Sequence, residues 1–144
     1  MNEKFVLLVE DNEDDVFLTQ RAFLKSQIPN KLVVVYDGQE ALDFLFGQRK
    51  YAGRDTSQTP AVVLLDLKLP CVDGKEVLKQ VRMDTRISRL PVVILSSTTD
   101  VREIEECEHL GINRYYRKPG NFGEFAKIIQ AIQASFLETK ERFS

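Results

Sequence analysis

Apolar residues come along the chain in short runs, separated by segments that repeat on a longer period. The runs are Phe5–Val9, Leu32–Tyr36, Ala61–Leu65, Pro91–Leu95 and, more weakly, Arg114–Arg117. Continuous β-branched runs of this length predict buried parallel strands. Between them, apolar residues return every three or four positions, which predicts helices. After the first run Val16, Thr19 and Phe23 share a face, and the helix ends before Ile28-Pro29-Asn30. Asp14 and Asp15 favour its first turn by facing the positive end of the helix dipole. After the second run, Asp37-Gly38 turns the chain into a helix over Gln39–Phe46. After the third, Asp73-Gly74 leads into Lys75–Met83, with Val77, Leu78 and Val81 inward. After the fourth, Asp100 caps a helix that runs to Leu110 and stops at Gly111. After the fifth, Phe122, Phe125, Ile129, Ile132 and Phe136 mark a longer helix from about Asn121 to Leu137.

Strict alternation of strand and helix predicts an α/β fold, a five-stranded parallel sheet wound on both faces by helices. The flavodoxin-like (βα)5 arrangement, strand order 2-1-3-4-5, is the common solution. It sets the first and third strands side by side, with a crevice at their carboxyl ends. The 144 residues suit one domain, with its core over about 4–137 and a short tail at 138–144. Gln48–Thr59 is polar and reads as an exposed loop, longer than such connections usually are.

Composition narrows the class. With 43% hydrophobic and 29% charged residues the chain is neither disordered nor membrane-spanning. Its apolar runs are far short of the roughly 20 residues that cross a bilayer. No signal-peptide pattern precedes the first run, so a cytoplasmic location is expected. A net charge of −2 speaks against a nucleic-acid surface. Cys71 and Cys107 match no metal-ligand spacing and read as reduced thiols, and His109 reads as a surface residue.

The chemistry gathers at the strand ends. The third run stops at Asp66 and the first at Glu10-Asp11. Neighbouring strands about 4.8 Å apart bring these acids together. Two carboxylates about 5 Å apart, at an effective dielectric near 20, repel by roughly 3 kcal/mol. Protonation of one acid or binding of a cation relieves that. Ligands that are all oxygen select a hard ion such as Mg2+; solvated strand-end acids are the plain alternative. The fourth run closes with Ser96-Ser97-Thr98-Thr99, bringing hydroxyls and N–H groups to the same rim. The fifth closes with Arg117-Lys118-Pro119, bringing an ammonium. A metal, a carboxylate nucleophile, a hydroxyl and a lysine in one crevice make a phosphoryl-transfer site, the carboxylate carrying the group as an acyl phosphate.

In this order, Glu10-Asp11, Asp66-x-x-x-Pro70-x-x-Asp73-Gly74, Ser96-Ser97 and Lys118-Pro119 resemble the receiver domain of two-component response regulators, over nearly the whole chain. The resemblance implies that Asp66 is the phosphoacceptor. It implies that Asp11, Asp66 and the backbone carbonyl of Lys68 ligate Mg2+ (or Mn2+), with Glu10 holding a metal-bound water. Ser96, the Ser97 N–H and Lys118 would bind the phosphoryl oxygens. Ser96 and Tyr115 would form the switch, and a cis bond before Pro119 would aim Lys118 inward. Glu10 stands where the family most often has Asp, and Ser96 where Thr is usual; both keep the chemistry. Lys68 and Thr98 fall where the family tunes phosphoryl lifetime. The donor would be a sensor histidine kinase or a phosphotransfer protein. The chain would be a signalling domain rather than an enzyme, promoting its own phosphotransfer and dephosphorylation.

A narrower similarity is to single-domain receivers that serve cyanobacterial and bacterial phytochrome kinases. It rests on the Gln48–Thr59 insertion, Pro91–Ser97, Leu110-Gly111-Ile112-Asn113 and Phe136-Leu137-Glu138. This implies a phytochrome as the kinase and a homodimer through the fourth and fifth units, with Phe136, Leu137 and Phe143 placed to extend the contact; the plain alternative is that Phe136 and Leu137 finish the core of the last helix. Only the short tail follows the last helix, so output is expected through a partner surface or onward phosphotransfer. Intact Asp11, Asp66, Ser96 and Lys118 disfavour a pseudo-receiver that only binds protein. A haloacid dehalogenase-type hydrolase needs a second Asp two residues after the nucleophile, where this chain has Lys68.

Overall fold

In the computed structural model, which describes residues 4–137, the runs form strands along most of their length. The strands are β1 (Val6–Val9), β2 (Leu32–Val35), β3 (Val62–Leu65), β4 (Val92–Ser96) and β5 (Arg114–Arg117). They form one parallel sheet in the order β2-β1-β3-β4-β5. Val9 pairs with Leu65, so the next residues, Glu10 and Asp66, leave the sheet side by side.

The helices are α1 (Glu13–Lys25), α2 (Gly38–Phe46), α3 (Gly74–Met83), α4 (Val101–Leu110) and α5 (Phe122–Ile132). Each begins at an Asp or Asn whose side chain accepts a first-turn N–H: Asn12, Asp37, Asp73, Asp100 and Asn121. The cap satisfies a donor that the helix leaves unpaired. All five caps lie in loops at the carboxyl ends of strands, so the rim that holds the chemistry also starts the helices.

Alternation along the central strands divides the core. Leu7, Val9, Val63 and Leu65 face α2, α3 and α4, against Phe44, Leu78 and Cys107. Val6, Leu8, Val62 and Leu64 face α1 and α5, against Val16, Phe23, Phe125 and Ile129.

Two expectations change in detail. The last helix does not run unbroken to Leu137: its α-helical part ends at Ile132 and a π-helical turn covers Gln133–Leu137. That wider turn brings Phe136 and Leu137 onto the α1–α5 core. The Gln48–Thr59 segment is exposed only in part, because aromatic and charged contacts staple it to α2. A 3-10 turn over Arg49–Tyr51 sets the Tyr51 ring edge-on to Phe44, 5.1 Å away, and its hydroxyl donates to Glu40 at 2.7 Å. Arg54 lies 4.0 Å over the Phe44 ring and donates to the Phe44 carbonyl at 2.7 Å. The tail at 138–144, with Phe143 and its proposed contact, lies outside the described residues. Among the described residues, no helix is long and apolar enough to cross a membrane.

Candidate functional site

Ladder bonds one residue past the strands fix the acidic backbone. The Glu10 N–H donates to the Val35 carbonyl at 3.0 Å, and the Asp66 N–H to the Val9 carbonyl at 3.1 Å. Glu10 and Asp66 are buried, while Asp11 is exposed at the mouth. Glu10, Asp11 and Asp66 each bring a carboxylate oxygen within 4.8 Å of the others.

Lys118 enters from the far side of the crevice. Its backbone N–H donates to the Ser96 carbonyl at 2.9 Å, extending the β4–β5 ladder. Its Nζ lies 2.8 Å from Glu10, 2.8 Å from Asp15 and 3.2 Å from Asp66. The expected cis bond before Pro119 is not present: Lys118–Pro119 is trans, as are all peptide bonds among the described residues. The long lysine stem reaches the acids from a trans backbone, so inward aim does not require the cis form.

The close approach of the loops depends on glycine and on one unusual residue. A Cβ on Gly74 would sit 2.3 Å from the Asp66 carbonyl oxygen, so only glycine lets the start of α3 come this close. Between them, the Val72 N–H donates to the Pro70 carbonyl at 2.8 Å, a three-residue turn centred on Cys71 with φ of 68°. Left-handed backbone at a non-glycine residue is strained and often marks a functional loop.

Burial controls the charges. It pushes the Glu10 carboxyl up to about 7, against the lowering pull of Lys118. Burial alone would lower the Lys118 ammonium, but its bonds to Asp15 and Glu10 outweigh that and hold it above its ordinary value. One ammonium is therefore shared by three acids, Glu10, Asp15 and Asp66, with Asp11 close to Glu10 and Asp66. The donor set is all oxygen and carries excess negative charge, which fits a hard divalent cation and not a thiolate-seeking metal.

The switch candidates meet at Thr98, not at Asp66. Ser96 is fully buried, and its hydroxyl accepts the Thr98 N–H at 3.2 Å. The Tyr115 hydroxyl donates to the Thr98 carbonyl at 2.9 Å. Ser97 is exposed. The Lys68 N–H points at Asp66 Oδ1, 3.4 Å away, while its side chain leans out toward Glu103. Sequence reasoning missed Asp15 as a partner of Lys118, reading it only as an acid suited to a helix start. It also passed over Glu103, whose one signal is an acid three residues after the Asp100 cap.

Residues 6–130 match the family described as the response regulator receiver domain. The chain belongs to this family. Receiver-domain homologues are the phosphoacceptor response regulators of two-component systems. The response regulator Rcp1 of Synechocystis sp. is 35% identical over 136 residues, covering 94% of this chain and 90% of Rcp1. A crystal structure of the Mn2+-bound form of Rcp1 superposes with a TM-score of 0.85 at 34% identity, over 94% of this receiver and 96% of that chain. The phosphorylated cyanobacterial phytochrome response regulator RcpA superposes with a TM-score of 0.85 at 36% identity, over 94% of each chain. The bacteriophytochrome response regulator AtBRR does so with a TM-score of 0.79 at 41% identity, over 97% of this receiver and 99% of that chain. This receiver is a signalling domain with an acidic cluster suited to a divalent metal.

Proposed function

We propose that this receiver accepts a phosphoryl group on Asp66 from a histidine kinase or phosphotransfer protein, with Mg2+ as the cation. The observation that carries this is the position of Asp66: buried at the end of β3, within 4.8 Å of the Glu10 and Asp11 carboxylates and 3.2 Å from Lys118. An Asp66 oxygen attacks phosphorus while the bond from phosphorus to the donor nitrogen breaks, its electron pair returning to the donor imidazole. The cation, when bound by Asp11, Asp66 and the Lys68 carbonyl, supplies charge neutralisation at the transferring oxygens. Glu10 orients a water beside it. Lys118 moves from its acid partners to a phosphoryl oxygen, and the Ser96 hydroxyl and Ser97 N–H donate to the others. Turning Ser96 toward phosphorus takes its oxygen from the Thr98 N–H, which alters the loop that Tyr115 holds. That is the proposed route from Asp66 to the face of α4 and β5. Attack by water on the same phosphorus would return Asp66 to its free form.

The names of RcpA and AtBRR support a phytochrome-type histidine kinase as the donor. A kinase charged by ATP implies that the exchange takes place in the cytoplasm. Charge supports a second copy of the chain as a partner. The outer face of α4 exposes Glu105 and Glu108, and β5 exposes Arg114 and Arg117, so two copies can pair acid with base.

Incubation with Mg2+ and acetyl phosphate, or with a phosphorylated kinase, tests the reading. Wild type is expected to form a labile adduct and Asp66→Asn none. No adduct on wild type would leave a binding module without phosphorylation. Labelling that survives Asp66→Asn would move the acceptor elsewhere.

A further inference from the structure

Glu103 stands in the first turn of α4, and its side chain is only 19% exposed. An acid that merely complements a helix dipole needs no such cover. Its Oε1 accepts the Thr98 hydroxyl at 2.8 Å and lies 4.0 Å from the Lys68 ammonium. Thr98 is the residue whose N–H meets Ser96 and whose carbonyl meets Tyr115. Lys68 is two residues past Asp66, and its N–H points at that carboxylate. One carboxylate thus joins the loop after β3, the loop after β4 and the start of α4.

We infer that Glu103 is a positioning residue of the phosphoryl site: it tethers Lys68 away from the mouth and so sets how readily an anionic phosphodonor enters. The inference rests on the reading of Asp66 as acceptor. A dianionic donor approaching Asp66 meets a surplus of carboxylates. The Lys68 ammonium is an exposed cation on the loop after β3, two residues past Asp66, and its charge is engaged by Glu103. Freed, it turns to the donor. Exposed pairs of this kind are weak, so the expected change is on the order of threefold.

The test is acetyl phosphate labelling of the full chain with Mg2+ at low salt, for wild type, Glu103→Gln, Lys68→Met and the double variant. Glutamine keeps an oxygen for the Thr98 hydroxyl, and methionine keeps the backbone carbonyl of residue 68. Glu103→Gln is expected to lower KM for acetyl phosphate about threefold with little change in the maximal rate. The effect is expected to vanish in the Lys68→Met background. An unchanged KM, or an equal fall in that background, overturns the tether. If none of the four proteins labels, the reading of Asp66 fails, and the tether is decided on the unmodified proteins. The Lys68 Cε and Hε resonances must then shift between wild type and Glu103→Gln; unshifted resonances overturn it.

Discussion

Lys118 concentrates the residue-scale argument. Its ammonium is shared among Glu10, Asp15 and Asp66, and little of its side chain reaches water. Lys118→Met leaves three acids without a cation. Losing one partner of a buried ion pair costs roughly 3–5 kcal/mol. Here the expected loss is about 2 kcal/mol, below that range because Glu10 can take up a proton. Urea unfolding without divalent metal should show a lower midpoint, partly restored by Mg2+. Glu10 carries the pH dependence. Burial raises its carboxyl from 4.5 to about 7, so the folded chain holds a proton that the unfolded chain has already lost. Through Glu10, stability is therefore present at the acid end of that window and falls as pH rises toward 7. Metal binding runs the other way, since a cation needs the carboxylate. Affinity for Mn2+ or Mg2+ should rise between pH 6 and pH 8, as titration at the two ends would show. Glu10→Gln should flatten that rise. The acids at residues 10, 11 and 66 and the lysine were legible because each ends a run. Asp15 was not: its partner is 103 positions away, and no local pattern marks such a pair.

At the scale of elements, the caps and glycines were legible and the loop geometry was not. Asp37-Gly38, Asp73-Gly74 and Asp100 read as helix starts, and each cap bond is present. Gly74 does more than turn the chain, since its missing side chain makes room for the Asp66 carbonyl. Gly74→Ala should push the start of α3 off the end of β3, costing about 1–3 kcal/mol, as overpacked sites do. Thermal unfolding measures the loss, and labelling of Asp66 should fall with it. If melting temperature and labelling both stayed at wild-type levels, the close approach would have no consequence. The turn at Cys71 could not be foreseen, because nothing in Pro70-Cys71-Val72 favours a left-handed residue. The 48–59 segment was read as exposed on its polarity. Its aromatic and guanidinium groups instead find Phe44 and Glu40, contacts that depend on where α2 lies.

For the whole molecule, the alternation of runs was enough to predict strand order, because parallel βα units admit few arrangements. The proposed association with a second copy cannot be read from the runs, since it depends on which charges the finished fold leaves outward. Sedimentation of the phosphorylated chain is expected to show a dimer. Glu105→Lys with Glu108→Lys should weaken it, and added Arg114→Glu with Arg117→Glu should bring it back. Dimers indifferent to both changes would place the contact elsewhere. The sharing of Lys118 also bears on how the molecule relates to its surroundings. Many small metal-binding domains fold only when the metal arrives. This one supplies an internal counter-ion, the Lys118 ammonium held among Glu10, Asp15 and Asp66. The fold is therefore expected to persist without bound metal. In a cell short of magnesium the chain would stay folded and keep its surfaces on offer, silent but intact.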